Sequence, residues 1–197
     1  MEENMNLPNK LTIFRIILIP FFILILAAPI FSGSVTIAGT VIGNARWVAT
    51  IIFIVASLTD FLDGQIARRR HLVTNFGKFA DPLADKMLVM TAFIFLVEIG
   101  EVPAWVIAII VCRELAVTGL RLIIVENNGA VIAAAWPGKI KTTTQMLAII
   151  LLFLNNVFFA AINFPLDQIM LYTCLFFTIY SGIDYFVQNR SVFADSF

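Results

Sequence analysis

Charge is scarce in this chain of 197 residues: 13% is Asp, Glu, Lys or Arg, 60% is hydrophobic, and the mean hydropathy is +0.95. A soluble domain carries about a quarter charged residues, so the composition excludes an ordinary water-exposed globule. Cysteine is nearly absent. Cys112 and Cys174 both fall in apolar runs, which argues against a disulfide framework and leaves them as small core residues. His71 is the lone histidine and is assigned no role. Internal repeats and low-complexity segments are missing too. The net charge is zero; that balance alone identifies no partner, and no nucleic acid is expected. What informs is where the few charges stand.

Long apolar runs with short connections predict one domain over residues 1–197, an all-α integral membrane bundle of six transmembrane helices. The spans are expected near 12–29, 46–67, 81–100, 103–125, 139–161 and 166–186. Pro20 lies inside the first, and a Gly-, Ser- and Thr-rich connection follows at 31–44. Pro82 leaves two readings of the third: Asp81 caps a helix with Pro82 at its first position, or the helix starts earlier and bends. Lys10, Arg15 and an apolar run ending at Ala27-Ala28-Pro29 mimic a secretory signal. Five further apolar segments favour a retained first span. Of the 13 Lys and Arg, all but Arg46 fall on one side if the N-terminus is inside. The positive-inside rule then makes both termini cytoplasmic and leaves the sequon Asn189-Arg190-Ser191 unglycosylated.

The rest of the chain is organised around 60–85, where Asp60, Asp63, Gly64, Ala67, Arg68, Gly77, Asp81 and Asp85 stand at fixed offsets. Helical residues turn by about 100° each, so Asp60, Asp63, Gly64 and Ala67 share about 100° of arc. Gly77, Asp81 and Asp85 step by four along one face of the next helix. Packed antiparallel, the two helices bring these carboxylates to one spot, where unpaired they would repel one another. Acids within a membrane are expensive and tend to be functional. A divalent metal, or a pair, is the natural compensation, and an oxygen-only donor set favours Mg²⁺ or Mn²⁺ over Zn²⁺. Gly64 and Gly77 leave room for a ligand to approach the backbone.

A second cluster is cationic. Arg113 and Arg121 stand eight residues apart, offset by about 80° on one helix. Lys139 and Lys141 stand at the start of the fifth span, where a cation opposes the helix dipole unless an anion is near. Snorkelling anchors are the plain account of the lysines, and Arg69 and Arg70 read as orientation anchors. Arginines part-way into a span resist that account. With the lysines they suggest a pocket for a phosphate dianion.

The order D-x2-D-G-x2-A-R-x8-G-x3-D-x3-D, matched at every fixed position from Asp60 to Asp85, resembles the signature of the CDP-alcohol phosphotransferases. The resemblance implies two divalent cations, with Asp60, Asp63 and Asp81 as ligands. It implies that Asp85 touches the second metal and acts as general base on the acceptor hydroxyl, two roles that pull against each other. Asp60, Gly64, Ala67, Arg68 and Gly77 would surround the cytidine nucleotide, with Arg68 able to grip a phosphate bidentately. A homodimer is implied as well.

The opening P-N-x-L-T-x-x-R (Pro8, Asn9, Leu11, Thr12, Arg15), R-E-x-A-V-T-G-L-R from Arg113 and G-K-x-K-T from Gly138 look like stretches of the bacterial phosphatidylglycerophosphate synthases. This narrower resemblance adds Asn9 and Thr12 to the CDP-lipid site. It implies a multi-pass enzyme of a bacterial plasma membrane, working at the cytoplasmic face. Its reaction would transfer the phosphatidyl group of CDP-diacylglycerol to glycerol 3-phosphate and release CMP. The acceptor phosphate would dock on Arg113, Arg121, Lys139 and Lys141. Within the same chemistry, inositol phosphate or phosphatidylglycerol is the alternative acceptor. A cation transporter could also bury carboxylates, but it would more often show repeats and broken helices. A purely structural subunit leaves the Asp spacing unexplained.

Overall fold

The computed structural model describes residues 6–28, 30–70, 75–126 and 136–190, with backbone alone at Leu7, Pro8, 61–70, 75, 76, 78, 79, 125 and 126. Six α-helices account for most of them: α1 (Leu7–Ala27), α2 (Asn44–Arg70), α3 (Asn75–Glu98), α4 (Ala104–Glu126), α5 (Trp136–Phe153) and α6 (Leu166–Gln188). α1 packs on α2 and α3, α5 on α6 and α2, and α4 on α6 and α3. Phe22 of α1 sets its ring edge-on to Phe95 of α3 and to Phe153 at the end of α5, with centroids 6.3 and 5.8 Å away. Around it Phe53, Phe93, Leu96, Ile149, Leu152 and Leu171 close a shared core.

Polarity is turned inside out. Thr12, Arg15, Lys141, Gln145, Thr178 and Ser181 are buried, whereas Leu58, Ile94, Leu115, Leu122, Phe176 and Ile183 are exposed on the helix exteriors. Apolar surface on that scale marks a contact with something other than water. Among the described residues two helices, Asn9–Ala27 and Leu166–Gln188, are long and apolar enough to cross a membrane. The expected six spans are thus matched in helix number, and by this measure in two.

One boundary decides between the two readings of Pro82 in favour of the earlier start, and two further features correct the sequence reading. α3 starts at Asn75 and runs through Pro82, so Asp81 lies inside the helix and does not cap it. A proline removes one backbone donor, and here the helix continues past that loss. α5 ends at Phe153, well short of 161, because Asn155 and Asn156 take left-handed conformations (φ 54° and 52°). Asn tolerates that region better than most residues, and the Asn156 amide returns to the Leu151 carbonyl at 2.8 Å. The connection at 31–44 is not featureless, so the bundle is not strictly all-α: β1 (Ser34–Ile37) and β2 (Thr40–Gly43) pair antiparallel, Ile37 opposite Thr40. Their turn, Ala38-Gly39, has φ 49° and 81°, the two-residue hairpin geometry that fits the twist of the strands.

Arg46, the cation set apart in the sequence, closes the far end of the bundle. Its Nε donates to the Phe153 carbonyl at 3.0 Å, Nη1 pairs with Glu101 at 2.8 Å, and Nη2 reaches the Leu152 carbonyl. It caps the Phe153 carbonyl at the α5 terminus and is a second donor to that of Leu152, which also accepts from the Asn155 amide at 3.2 Å. Arg46→Ala is expected to cost about 2–3 kcal/mol, the scale of hydrogen bonds to a charged group. Unfolding in detergent measures this, with substrate KM values unchanged.

Candidate functional site

The acidic stretch occupies the end of α2 and the first half of α3. Asp63, Gly64, Ala67 and Arg68 lie in α2, but their side chains fall outside the described residues, as do Arg69, Arg70 and His71. Gly77 is buried in the first turn of α3, with Asp81 and Asp85 one and two turns on. α1 meets them with a buried stripe at helical spacing, Asn9, Thr12 and Arg15. Arg15 is fully buried, and its Nη1 stands 2.7 Å from Asp60 Oδ1. Thr12 donates its hydroxyl proton to Asp81. α1 is therefore the partner that keeps two of the acids from facing each other unscreened. The pairing of Arg15 with Asp60 is not visible in spacing.

The charges that act on Asp85 are those of Asp60, Arg15, Lys141 and Glu114. Asp85 lines a cavity of about 240 Å³ between α3, α4 and the start of α5, together with Lys86, Arg113, Glu114, Thr118, Arg121 and Lys141. A narrower space of about 70 Å³ continues from Asp85, Glu114 and Lys141 inward to Val89, Phe93, Ile110 and Met146. The polar basin thus grades into an apolar slot.

The structure brings Arg113, Arg121 and Lys141 together around this basin, and it does not bring Lys139. Lys139 stands over the Trp136 ring at 5.1 Å, away from the cavity lining. The reason is angular: residues two apart on a helix face nearly opposite ways, so Lys139 points out when Lys141 points in.

Three contributors carried no role in the sequence reading. Glu114 Oε1 accepts from Lys141 Nζ at 2.6 Å and from Arg113 Nη1 at 2.9 Å. Lys86 lines the basin and donates to Thr118, whose hydroxyl donates to the Glu114 carbonyl at 2.6 Å. Ser181 of α6 accepts from Arg113 Nη2 at 2.8 Å. Lys86 follows Asp85 directly and Glu114 follows Arg113, so their positions were visible and their direction was not.

Among the described residues no group of three His, Cys, Asp or Glu side chains comes close enough to hold a metal ion, and the Asp63 side chain is not among them. By donor type, Asp60, Asp81 and Asp85 suit a hard divalent cation.

A helical bundle with buried polar stripes, helix-spaced carboxylates and an adjoining basin of cations has the attributes of a protein that handles phosphorylated substrates. The chain belongs to the CDP-alcohol phosphatidyltransferase family, whose model matches residues 5–180. It is 48% identical over 184 residues to a CDP-diacylglycerol–glycerol-3-phosphate 3-phosphatidyltransferase of Bacillus subtilis, covering 93% of this chain and 95% of that one. A protein of the same description from Haemophilus influenzae is 39% identical, covering 97% of each chain. A probable phosphatidylglycerophosphate synthase of Mycobacterium tuberculosis is 38% identical, over 91% of this chain and 79% of its own.

Proposed function

We propose that this chain transfers the phosphatidyl group of CDP-diacylglycerol to glycerol 3-phosphate, giving phosphatidylglycerophosphate and CMP. The observation that carries the reading is Asp85 at the edge of a basin in which Lys86, Arg113, Arg121 and Lys141 outnumber Asp85 and Glu114. That excess of cations suits a phosphate dianion, and the arginine fork grips it in two bonds. The names of the relatives at 48% and 39% identity describe the same reaction.

In this reading the acceptor phosphate rests on Arg113, Arg121, Lys141 and Lys86. Its primary hydroxyl reaches Asp85, which takes the proton. The hydroxyl oxygen bonds to the lipid-side phosphorus, and the bond from that phosphorus to the CMP oxygen breaks. Asn9, Thr12, Gly64, Ala67, Arg68 and Gly77 frame the CDP end of the donor. Asp60, Asp63, Asp81 and Asp85 would hold divalent cations, Mg²⁺ or Mn²⁺, which when bound neutralise charge on the pyrophosphate. Arg15 and Thr12 keep Asp60 and Asp81 in position, and holding both substrates together supplies much of the rate.

The apolar exteriors of α2, α3, α4 and α6 support a multi-pass bundle with all six helices in the membrane. Both termini and the basin then lie at the cytoplasmic face of a bacterial plasma membrane. In this reading the chain acts as one domain, and the family resemblance supports a homodimer.

CMP release by purified protein with CDP-diacylglycerol and Mg²⁺ tests the reading, with glycerol 3-phosphate, inositol phosphate, phosphatidylglycerol or no acceptor. Release that depends on glycerol 3-phosphate is expected. Release with another acceptor alone would keep the acidic site and overturn the acceptor assignment. In the same assay Lys141→Ala is expected to raise KM for glycerol 3-phosphate about 10–100-fold, since it removes a charged hydrogen-bond donor. Lys139→Ala is expected to stay within about threefold, as exposed charges do. Equal effects of the two would put Lys139 back in the pocket.

A further inference from the structure

α6 supplies none of the residues expected of the site, yet both arginines of the basin rest on it. We propose that the C-terminal turns of α6, through Ser181, Gly182 and Tyr185, are the template that fixes Arg113 and Arg121 for the acceptor phosphate. The proposal rests on the acceptor-pocket reading above.

The stem of Arg113 lies across Gly182. A Cβ added at that glycine would stand 3.0 Å from Arg113 Cγ, 3.5 Å from Nε and 3.9 Å from Cδ. Cγ is near the root of the side chain, so a small displacement there swings the guanidinium through a longer arc. The head is then held from two flanks, Nη1 by Glu114 at 2.9 Å and Nη2 by Ser181 at 2.8 Å. Ser181 is buried, and its hydroxyl donates to the Thr178 carbonyl at 3.3 Å, which leaves a lone pair free to accept from Arg113.

One turn further along, the Tyr185 ring faces Arg121, with the guanidinium carbon 5.4 Å from its centroid. That ring is packed among Val117, Leu120 and Ile124 of α4, so its own position is fixed. α6 thus meets α4 at both arginines, with a residue that has no side chain at the first and an aromatic face at the second. Long cationic side chains lose rotamer freedom when they bind. A template that fixes them beforehand favours an acceptor whose phosphate fits the preset spacing.

The test compares Gly182→Ala, Arg113→Ala and the double variant, with KM measured separately for glycerol 3-phosphate and CDP-diacylglycerol. Gly182→Ala is expected to raise the acceptor KM about tenfold and leave the donor KM within about twofold, since a misplaced binding group costs steeply. In the Arg113→Ala background the same change has no further effect, because the added methyl then meets no stem. Additive effects, an unchanged acceptor KM, or an equal rise in donor KM would overturn the template.

Should Gly182→Ala fail to accumulate in membranes, Ser181→Ala decides. It removes one hydroxyl and is expected to raise the acceptor KM about fivefold; an unchanged value overturns the template. Arg113→Ala with unaltered acceptor KM would remove the pocket reading itself, and the template with it.

Discussion

Asp85→Asn lowers CMP release by about 10²–10⁴-fold, the range general-base catalysis contributes, while CDP-diacylglycerol binding stays measurable. The substitution keeps the shape of the side chain and removes its ability to take a proton. Its consequence depends on where Asp85 stands: it lines both the cationic basin and the apolar slot that continues from it. An acceptor with its phosphate on Arg113 and Lys141 therefore has a carboxylate within the same cavity. Direct binding of a labelled CDP-lipid, measured beside turnover, separates this role from a purely structural one. Near-normal turnover would remove Asp85 as the base. Loss of turnover and donor binding together would assign it to the donor site.

The helical placement of the acidic half of the candidate site was legible because it obeys helix periodicity, although among the described residues no three of its acids come together. Gly77, Asp81 and Asp85 repeat every four residues, and α3 places them in three consecutive turns. The pairing of Thr12 with Asp81 spans 69 residues, and nothing in the local pattern of either segment points to the other. The cationic half was legible as a set of residue types and less so as a set of directions. Lys139 and Lys141 look alike in sequence, and the helical turn of about 200° between them decides which one enters the basin.

Negative charge within a basic cluster was harder to read. Glu114 beside Arg113 suggested no more than a neighbour, but a rotamer that reaches across to α5 makes it the acceptor for both Arg113 and Lys141. Ser181-Gly182 gave no signal at all, because a small pair in an apolar helix is what close helix packing also produces. The hairpin at 34–43 was missed for a different reason. Its turn places an alanine at positive φ, where glycine or asparagine would have announced it. The end of α5 did carry its signal in Asn155-Asn156, which the apolar residues on either side outweighed.

Arg15→Met removes the buried cation that faces Asp60 and is expected to lower CMP release at least about 100-fold, as misplacing a reactive constellation does. It should also destabilise the protein by about 2–3 kcal/mol, less than the 3–5 of a fully buried broken pair. The discount follows from the asymmetry of the pair, since the Arg15 side chain is wholly buried whereas that of Asp60 is 37% exposed. Methionine retains the volume of the stem, so lost packing contributes little. Stability and function then separate in the double variant Arg15→Met with Asp60→Asn. With both charges gone neither member of the pair is left facing an absent partner, Asp85 keeps Lys141 as a counter-charge, and the unfolding midpoint in detergent should recover part of its loss. Turnover should not recover, because an amide at position 60 neither balances a cation nor orients a pyrophosphate. Recovery of turnover along with stability would mean that the pair only holds α1 against α2. Loss of both in the double variant would mean that Arg15 holds the bundle together through contacts beyond Asp60.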